Sequence, residues 1–194
     1  MPRTRLETLY GRKEGSEQSK MTFREIRNAL VERLWNYMGC PIVLADQVQP
    51  EAQLPYGIYS VSTPYAPDRG MGDYTTREAE GGNAEITRME MPSATFSFTF
   101  CSQNRTDADG IYIYGSDEAE DLADKAIGYF QHVGYDDFLM LGITIVEIGQ
   151  AQNRSTLIID EAARRVGFDV RIRYTRQDTR VVSSVETAPI TEKE

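Results

Sequence analysis

Histidine and cysteine are nearly missing from this chain: 194 residues hold one histidine, His132, and two cysteines, Cys40 and Cys101. A lone imidazole takes most histidine-based acid–base chemistry and metal binding out of consideration. His132 falls near the end of an expected helix, where attraction to the helix dipole is the plain reading. Two cysteines make no disulfide framework and their spacing matches no metal motif, so both read as buried free thiols. Lysine is scarce as well, since arginine supplies 17 of the 21 cations. No run approaches the roughly 18–20 apolar residues that a bilayer crossing requires. Met1-Pro2-Arg3-Thr4-Arg5 leads into polar sequence without the apolar stretch of a secretory signal. The expectation is a protein made in the cytoplasm and without membrane contact.

What is present is charge, unevenly placed. The net charge is −9, from 21 basic and 30 acidic residues, which disfavours indiscriminate adhesion to nucleic acid. Between Asp107 and Glu147 stand ten acidic residues and one lysine; between Arg154 and Arg180 stand seven arginines and four acids. Arginine pairs bidentately with carboxylates and is enriched at interfaces. An acidic and a basic segment on one subunit suit head-to-tail contact between identical copies, and equally suit two solvated faces.

The chain divides into a polar arm over 1–20, a single domain over 21–185 and a polar tail over 186–194. Thr22 and Glu25 form a Thr-x-x-Glu capping box for a first helix whose apolar stripe is Phe23, Ile26, Leu30, Leu34 and Met38, stopped by Gly39 and Pro41. Trp35 and Tyr37 flank the stripe as core edge or interface anchor. Short strands are expected over Pro41–Ala45 and Tyr56–Thr63, the latter stopping near Pro64. Asn83–Met89 can form another. Ala94–Cys101 alternates strictly, with Phe96, Phe98 and Phe100 on one face and Thr95, Ser97 and Thr99 on the other. These aromatics could stack bases, but an acidic chain without lysine near them favours core packing. A second helix is capped by Ser116 or Asp117, buries Ala119, Leu122, Ala123, Ala126, Ile127 and Phe130, and ends at Gly134. Leu139–Ile148 reads as a central strand covered on both sides. Thr156–Ile159 is irregular or a short strand. Val166–Tyr174 alternates with Phe168, Val170, Ile172 and Tyr174 inward and Asp169, Arg171 and Arg173 outward, and Val181–Val185 is a last strand-forming patch. The fold class is α+β, a mainly antiparallel sheet flanked by two helices.

Residues 66–92 form a long excursion whose first part is rich in glycine, and a protruding hairpin or loop is expected there. It is not a phosphate cradle, because neither Gly-x-Gly-x-x-Gly nor the Walker pattern occurs. Asp107-Ala108-Asp109-Gly110 invites a calcium reading, but the later ligands of an EF-hand are missing. No cofactor or metal is therefore expected.

Several stretches resemble the tail-terminator, or neck-terminator, proteins of tailed bacteriophages. These are the helix Thr22–Gly39 with the strand Pro41–Leu44, the segment Leu54-Pro55-Tyr56-Gly57-Ile58-Tyr59, the strand Ala94–Phe100 leading into the helix Glu118–Phe130, and the closing run Glu161–Tyr174 with Arg164 and Arg165. The resemblance covers about residues 22–175. It implies a structural virion protein, not an enzyme, that assembles as a hexameric ring on the finished tail tube. Such a ring ends tail polymerisation and offers a surface for head-completion or connector proteins. In a contractile tail it also meets the sheath protein, and DNA passes through the lumen without specific binding. In that picture Tyr65, Arg69, Tyr74 and Arg77 on the excursion reach neighbouring subunits, and Arg164, Arg165, Arg171 and Arg173 supply the basic side of the contact.

Three other readings stay open at this point. One is a head-side completion protein of the same neck. Another is a nucleic-acid-binding module using Arg164, Arg165, Arg171 and Arg173. The third is a hydrolase with paired carboxylates, Asp117 with Glu120 or Asp136 with Asp137, whose spacing is unspecific.

Overall fold

The computed structural model describes residues 21–45, 53–155 and 163–183. The expected arm over 1–20, the segment Thr156–Ile159, residues 184–185 and the tail over 186–194 lie outside the described residues.

Local chemistry sets the first element. Helix α1 runs Phe23–Met38; Thr22 Oγ1 accepts from the Glu25 amide at 3.3 Å, and the Glu25 carboxylate accepts from the Thr22 amide at 2.7 Å, closing the capping box. Gly39 ends the helix at φ 74°, with its N–H bonded to the Trp35 carbonyl at 2.9 Å, a left-handed cap that a side chain would resist. The buried stripe is Ile26, Leu30, Val31, Leu34 and Met38, while Phe23 is partly buried. After α1 come the strands β1 (Ile42–Leu44), β2 (Tyr56–Ala66), β3 (Asp73–Ala79), β4 (Asn83–Glu90), β5 (Ser93–Ser102), β6 (Arg105–Thr106) and β7 (Tyr112–Ile113). Helices α2 (Gly115–Gly128) and α3 (Tyr135–Leu141) follow, then β8 (Ile143–Ile148), β9 (Gln152–Asn153), β10 (Arg164–Tyr174) and β11 (Arg176–Ser183).

The main sheet has the order β1-β2-β5-β10-β8, with β9 also paired to β10; all pairs are antiparallel except β1 with β2. One face carries the core. Phe96, Phe98 and Phe100 of β5 and Phe168, Val170 and Ile172 of β10 are all fully buried, under α1 and α2. Phe98 is central, with ring centroids of Phe130 and Phe168 at 5.2 and 6.0 Å. Each such phenylalanine contributes about 1.5–3 kcal/mol relative to an exposed ring. Both cysteines are free and buried, as expected.

A second sheet, β11-β4-β3, grows out of the first. The β5–β10 ladder ends at Ser93 and Arg173, the Tyr174 amide bonds the Pro92 carbonyl at 3.1 Å, and the β4–β11 ladder resumes at Glu90 and Arg176. The strand pair β5–β10 thus runs on past Pro92 as the pair β4–β11, in one ribbon. The ladder continues to Asn83 and Ser183, giving a three-stranded blade about 25 Å long at the usual rise per residue. The excursion over 66–92 is therefore a hairpin, β3 and β4, with a turn at Glu80–Gly82.

Several expectations are corrected. Leu139–Ile148 is not a central strand: Tyr135–Leu141 is a third helix, Gly142 caps it at φ 63°, and β8 is an edge strand that begins at Ile143. Two helices therefore become three. The second helix does not end at Gly134 as one α-helix, because after Gly128 it passes into a π turn over Tyr129–Val133. No side chain caps its start, and its N-cap is Tyr114 in place of Ser116 or Asp117. Finally, β2 does not stop near Pro64. Register shifts between Val61 and Thr63 and again before Ala66 absorb the proline, which cannot donate to a regular ladder.

Candidate assembly interface

The junction between sheet and blade is fixed by a buried carboxylate. Glu90, at the end of β4, is 6% exposed. It accepts from Tyr65 Oη at 3.1 and 3.2 Å and from Arg88 Nη2 at 2.5 Å, and Arg176 Nε lies 3.8 Å away. Arg176 also bonds Asp178 and places its guanidinium over the Tyr65 ring, 5.5 Å from the centroid. Residues from β2, β4 and β11 thus converge on one charge, which pins the blade's angle to the main sheet. Beyond this point, among the described residues, every residue of β3 but Ala79 is exposed, as are most of β11. Threonines stabilise one face, with the Thr87 and Thr179 hydroxyls 3.1 Å apart.

The second face of the main sheet is polar. Strand alternation sends Thr95, Ser97 and Thr99 and, on β10, Arg165, Asp169, Arg171 and Arg173 away from the helices. Arg154 lies across this face, donating from Nη1 to Ser97 Oγ at 2.7 Å and Thr99 Oγ1 at 3.1 Å and from Nη2 to Asp169 at 2.9 Å. Gly167 makes this possible, since a Cβ there would lie 2.5 Å from the Phe98 carbonyl and 2.9 Å from Arg154 Cδ. Burial works against the Asp169 charge, but hydrogen bonds from Ser97 and Arg154 prevail and hold its carboxyl below the usual range.

On the helix side the carboxylates serve the fold. Glu118, in the first turn of α2, takes Arg105 through Nη1 at 2.6 Å and Nη2 at 2.7 Å, and bonds Ser102. The Arg105 hydrogen bonds outweigh partial burial and, with Ser102, hold Glu118 below the ordinary carboxylate range. Asp137 accepts from Tyr129 Oη and from Arg33 Nη1, each at 2.7 Å, tying α1 to α3 and the π turn. Burial first, then Asp137, pushes the Tyr129 phenol well up. Asp107 Oδ1 accepts the Asp109 and Ile111 amides at 3.0 and 2.8 Å, so it closes a turn. Among the described residues no group of three or more His, Cys, Asp or Glu is placed to hold a metal ion.

The structure does not gather the eight expected interface residues into one patch. Tyr65 sits in the Glu90 junction, Arg69 on the exposed turn before β3, and Tyr74 and Arg77 on opposite faces of β3. Arg165, Arg171 and Arg173 share the open sheet face, while Arg164 falls on the other side at the exposed start of β10. The acidic helix α2 and Arg165, Arg171 and Arg173 of β10 lie on opposite sides of the main sheet. Glu90 and Arg154 were not singled out in the sequence. A carboxylate ending a strand just before Met91-Pro92 was the only signal for Glu90, and Arg154 had none.

Among the described residues, two unpaired sheet edges, a polar sheet face and an exposed blade stand beside the carboxylates Glu90, Glu118, Asp137 and Asp169, each of which serves a structural ion pair. A family model described as phage neck terminator protein matches residues 28–194, and the chain belongs to that family. It is a structural protein of the bacteriophage virion, of the tail-neck region, in a family that is not a class of enzymes. No curated protein matches the chain. Among the described residues no helix is long and apolar enough to cross a membrane.

Proposed function

We propose that identical copies of this chain close head-to-tail into a six-membered ring that sits on the finished tail tube, ends its polymerisation and presents a surface to the head-completion or connector protein. The observation that carries this reading is the blade. Three paired strands of up to eight residues continue beyond the ladder of the main sheet, and among the described residues the two outer strands are mostly exposed. Isolated sheets of this kind are marginal in water and are steadied by a neighbour. A heterologous contact that repeats around a closed axis gives each copy one neighbour on each side. Tyr74 and Arg77 of the blade reach the adjacent copy or the tube, and in a contractile tail the outer rim meets the last sheath ring. DNA passes through the lumen without being gripped, in keeping with the net negative charge.

The test is electron microscopy of purified tails combined with light scattering of the isolated protein. A symmetric ring at the head-proximal end of the tube is expected. Recovery with tail-less heads and absence from head-less tails would move the protein to the head side of the neck. Duplex-DNA binding that weakens steeply with salt would favour the nucleic-acid reading instead.

A further inference from the structure

The geometry points to the contact that joins neighbouring copies: the apolar edge formed by α3 and β8 of one copy seats in the cleft between α1 and β1 of the next. This rests on the ring reading and names the surfaces that make it. The two edges of the main sheet are β1 and β8, and each offers one unpaired side among the described residues. At the β8 edge, Tyr135, Leu139 and Met140 of α3 are 68%, 67% and 70% exposed, and Val133 just before the helix and Val146 on β8 are exposed as well. Single exposed apolar side chains are ordinary, but a cluster of this size marks a place where something docks. At the β1 edge, a cleft of about 350 Å³ is lined by Val31, Trp35, Ile42, Leu44 and Tyr59, with the Trp35 ring 46% exposed at its mouth. A projecting aliphatic pair at one end of the sheet thus matches an apolar cleft at the other.

Surfaces that are complementary, distinct and set on opposite edges of the main sheet leave one of each unused when a single such contact joins two copies. They are satisfied fully in a closed ring. The rims select a register. Asn28, which accepts from the Arg27 guanidinium at 2.8 and 3.1 Å, and Glu32 line the cleft, while the exposed Asp136 stands one turn before Leu139 and Met140 on α3. The favoured register brings Arg27 to Asp136 and turns Glu32 away from it. Both short edge strands then lie against a neighbour, which removes two open edges.

The experiment uses the full chain with two variants: Leu139→Lys/Met140→Lys, which spoils the projecting edge, and Trp35→Lys, which spoils the cleft. All the changed side chains lie near helix C-termini, where lysine is tolerated. Light scattering should show rings for the unaltered chain and monomers for each variant alone. An equimolar mixture should give a dimer and nothing larger, because it holds one working edge and one working cleft. Rings that persist in either variant overturn the contact and leave the ring reading standing. A mixture that stays monomeric, or that rebuilds rings, also overturns it. So do variants that keep rings but lose binding to purified tubes, which would assign the patch to the tube protein. A chain that is monomeric at every concentration overturns the contact as well, and averaged images of the tail end then decide the ring reading separately. If Trp35→Lys melts early, Val43→Lys on the edge strand is the second cleft variant.

Discussion

Replacing Glu90 by glutamine keeps the volume of the junction and removes its charge. Arg88 loses a 2.5 Å charged hydrogen bond, Arg176 loses its attraction at 3.8 Å, and Tyr65 keeps an acceptor. A hydrogen bond to a charged group contributes about 1.5–3 kcal/mol. Both arginines remain partly exposed and retain Asp178, at 3.5 Å from Arg88 and 3.2 Å from Arg176, so the loss falls at the low end, about 1.5 kcal/mol. The cost is local, because the carboxylate fastens the blade and does not touch the aromatic core. Amide hydrogen exchange in β4 and β11 should therefore speed up roughly tenfold while β5 and α2 stay unchanged. Glu78→Gln, exposed on the outer strand of the blade, is the control and should change nothing. Unaltered exchange in β4 and β11, or a uniform rise through the whole sheet, would refute the view that one buried charge sets the blade.

The remaining predictions concern the main sheet and its helices. Gly167→Ala should destabilise the fold by about 1–3 kcal/mol, because its Cβ meets the Phe98 backbone carbonyl; a thermal melt without a shift would contradict the β5–β10 register. Glu118 is held below its unfolded value, so its contribution is complete above the ordinary carboxylate range and is lost as pH falls through the depressed folded value. Urea melts between pH 7 and pH 3 should accordingly lose less stability in Glu118→Gln than in the unaltered chain, and equal slopes would count against the Arg105 pairing. Burial pushes the Cys40 and Cys101 thiols up, so a thiol-reactive disulfide reagent should label them only as fast as the protein unfolds. Rapid labelling of the native protein would show that one of these sites is open.

The parts of the fold that were legible in the sequence are those set by neighbours along the chain. Thr22, Glu25 and Gly39 announce α1 because capping joins residues three or four apart. Phe96, Phe98 and Phe100 announce β5 because a half-buried strand repeats every two residues, and the same holds for β10. Leu139-Met140-Leu141 reads as strand because a short apolar run has no period that separates strand from helix, and the exposed Leu139 and Met140 carry the same apolar signal as core residues. Gly142, the left-handed cap of α3, sat inside that run unread. Pro64 reads as a stop in sequence because the register shifts that accommodate it depend on β5, about thirty residues away in the chain. The Glu90 junction draws on Tyr65, Arg88 and Arg176, and the Arg154 bridge draws on Ser97 and Asp169. Such charge clusters are assembled by long-range register, which no window along the sequence contains.

The account turns on where the chain sits in the particle and how many copies surround the axis. Electron cryo-microscopy of intact virions, at a resolution that separates strands, measures both at once. A closed ring on the head-proximal end of the tail tube, its subunits joined between the α3–β8 edge and the α1–β1 cleft, is the predicted result. Density for this chain away from the neck, or as single copies that make no contact with one another, would contradict it.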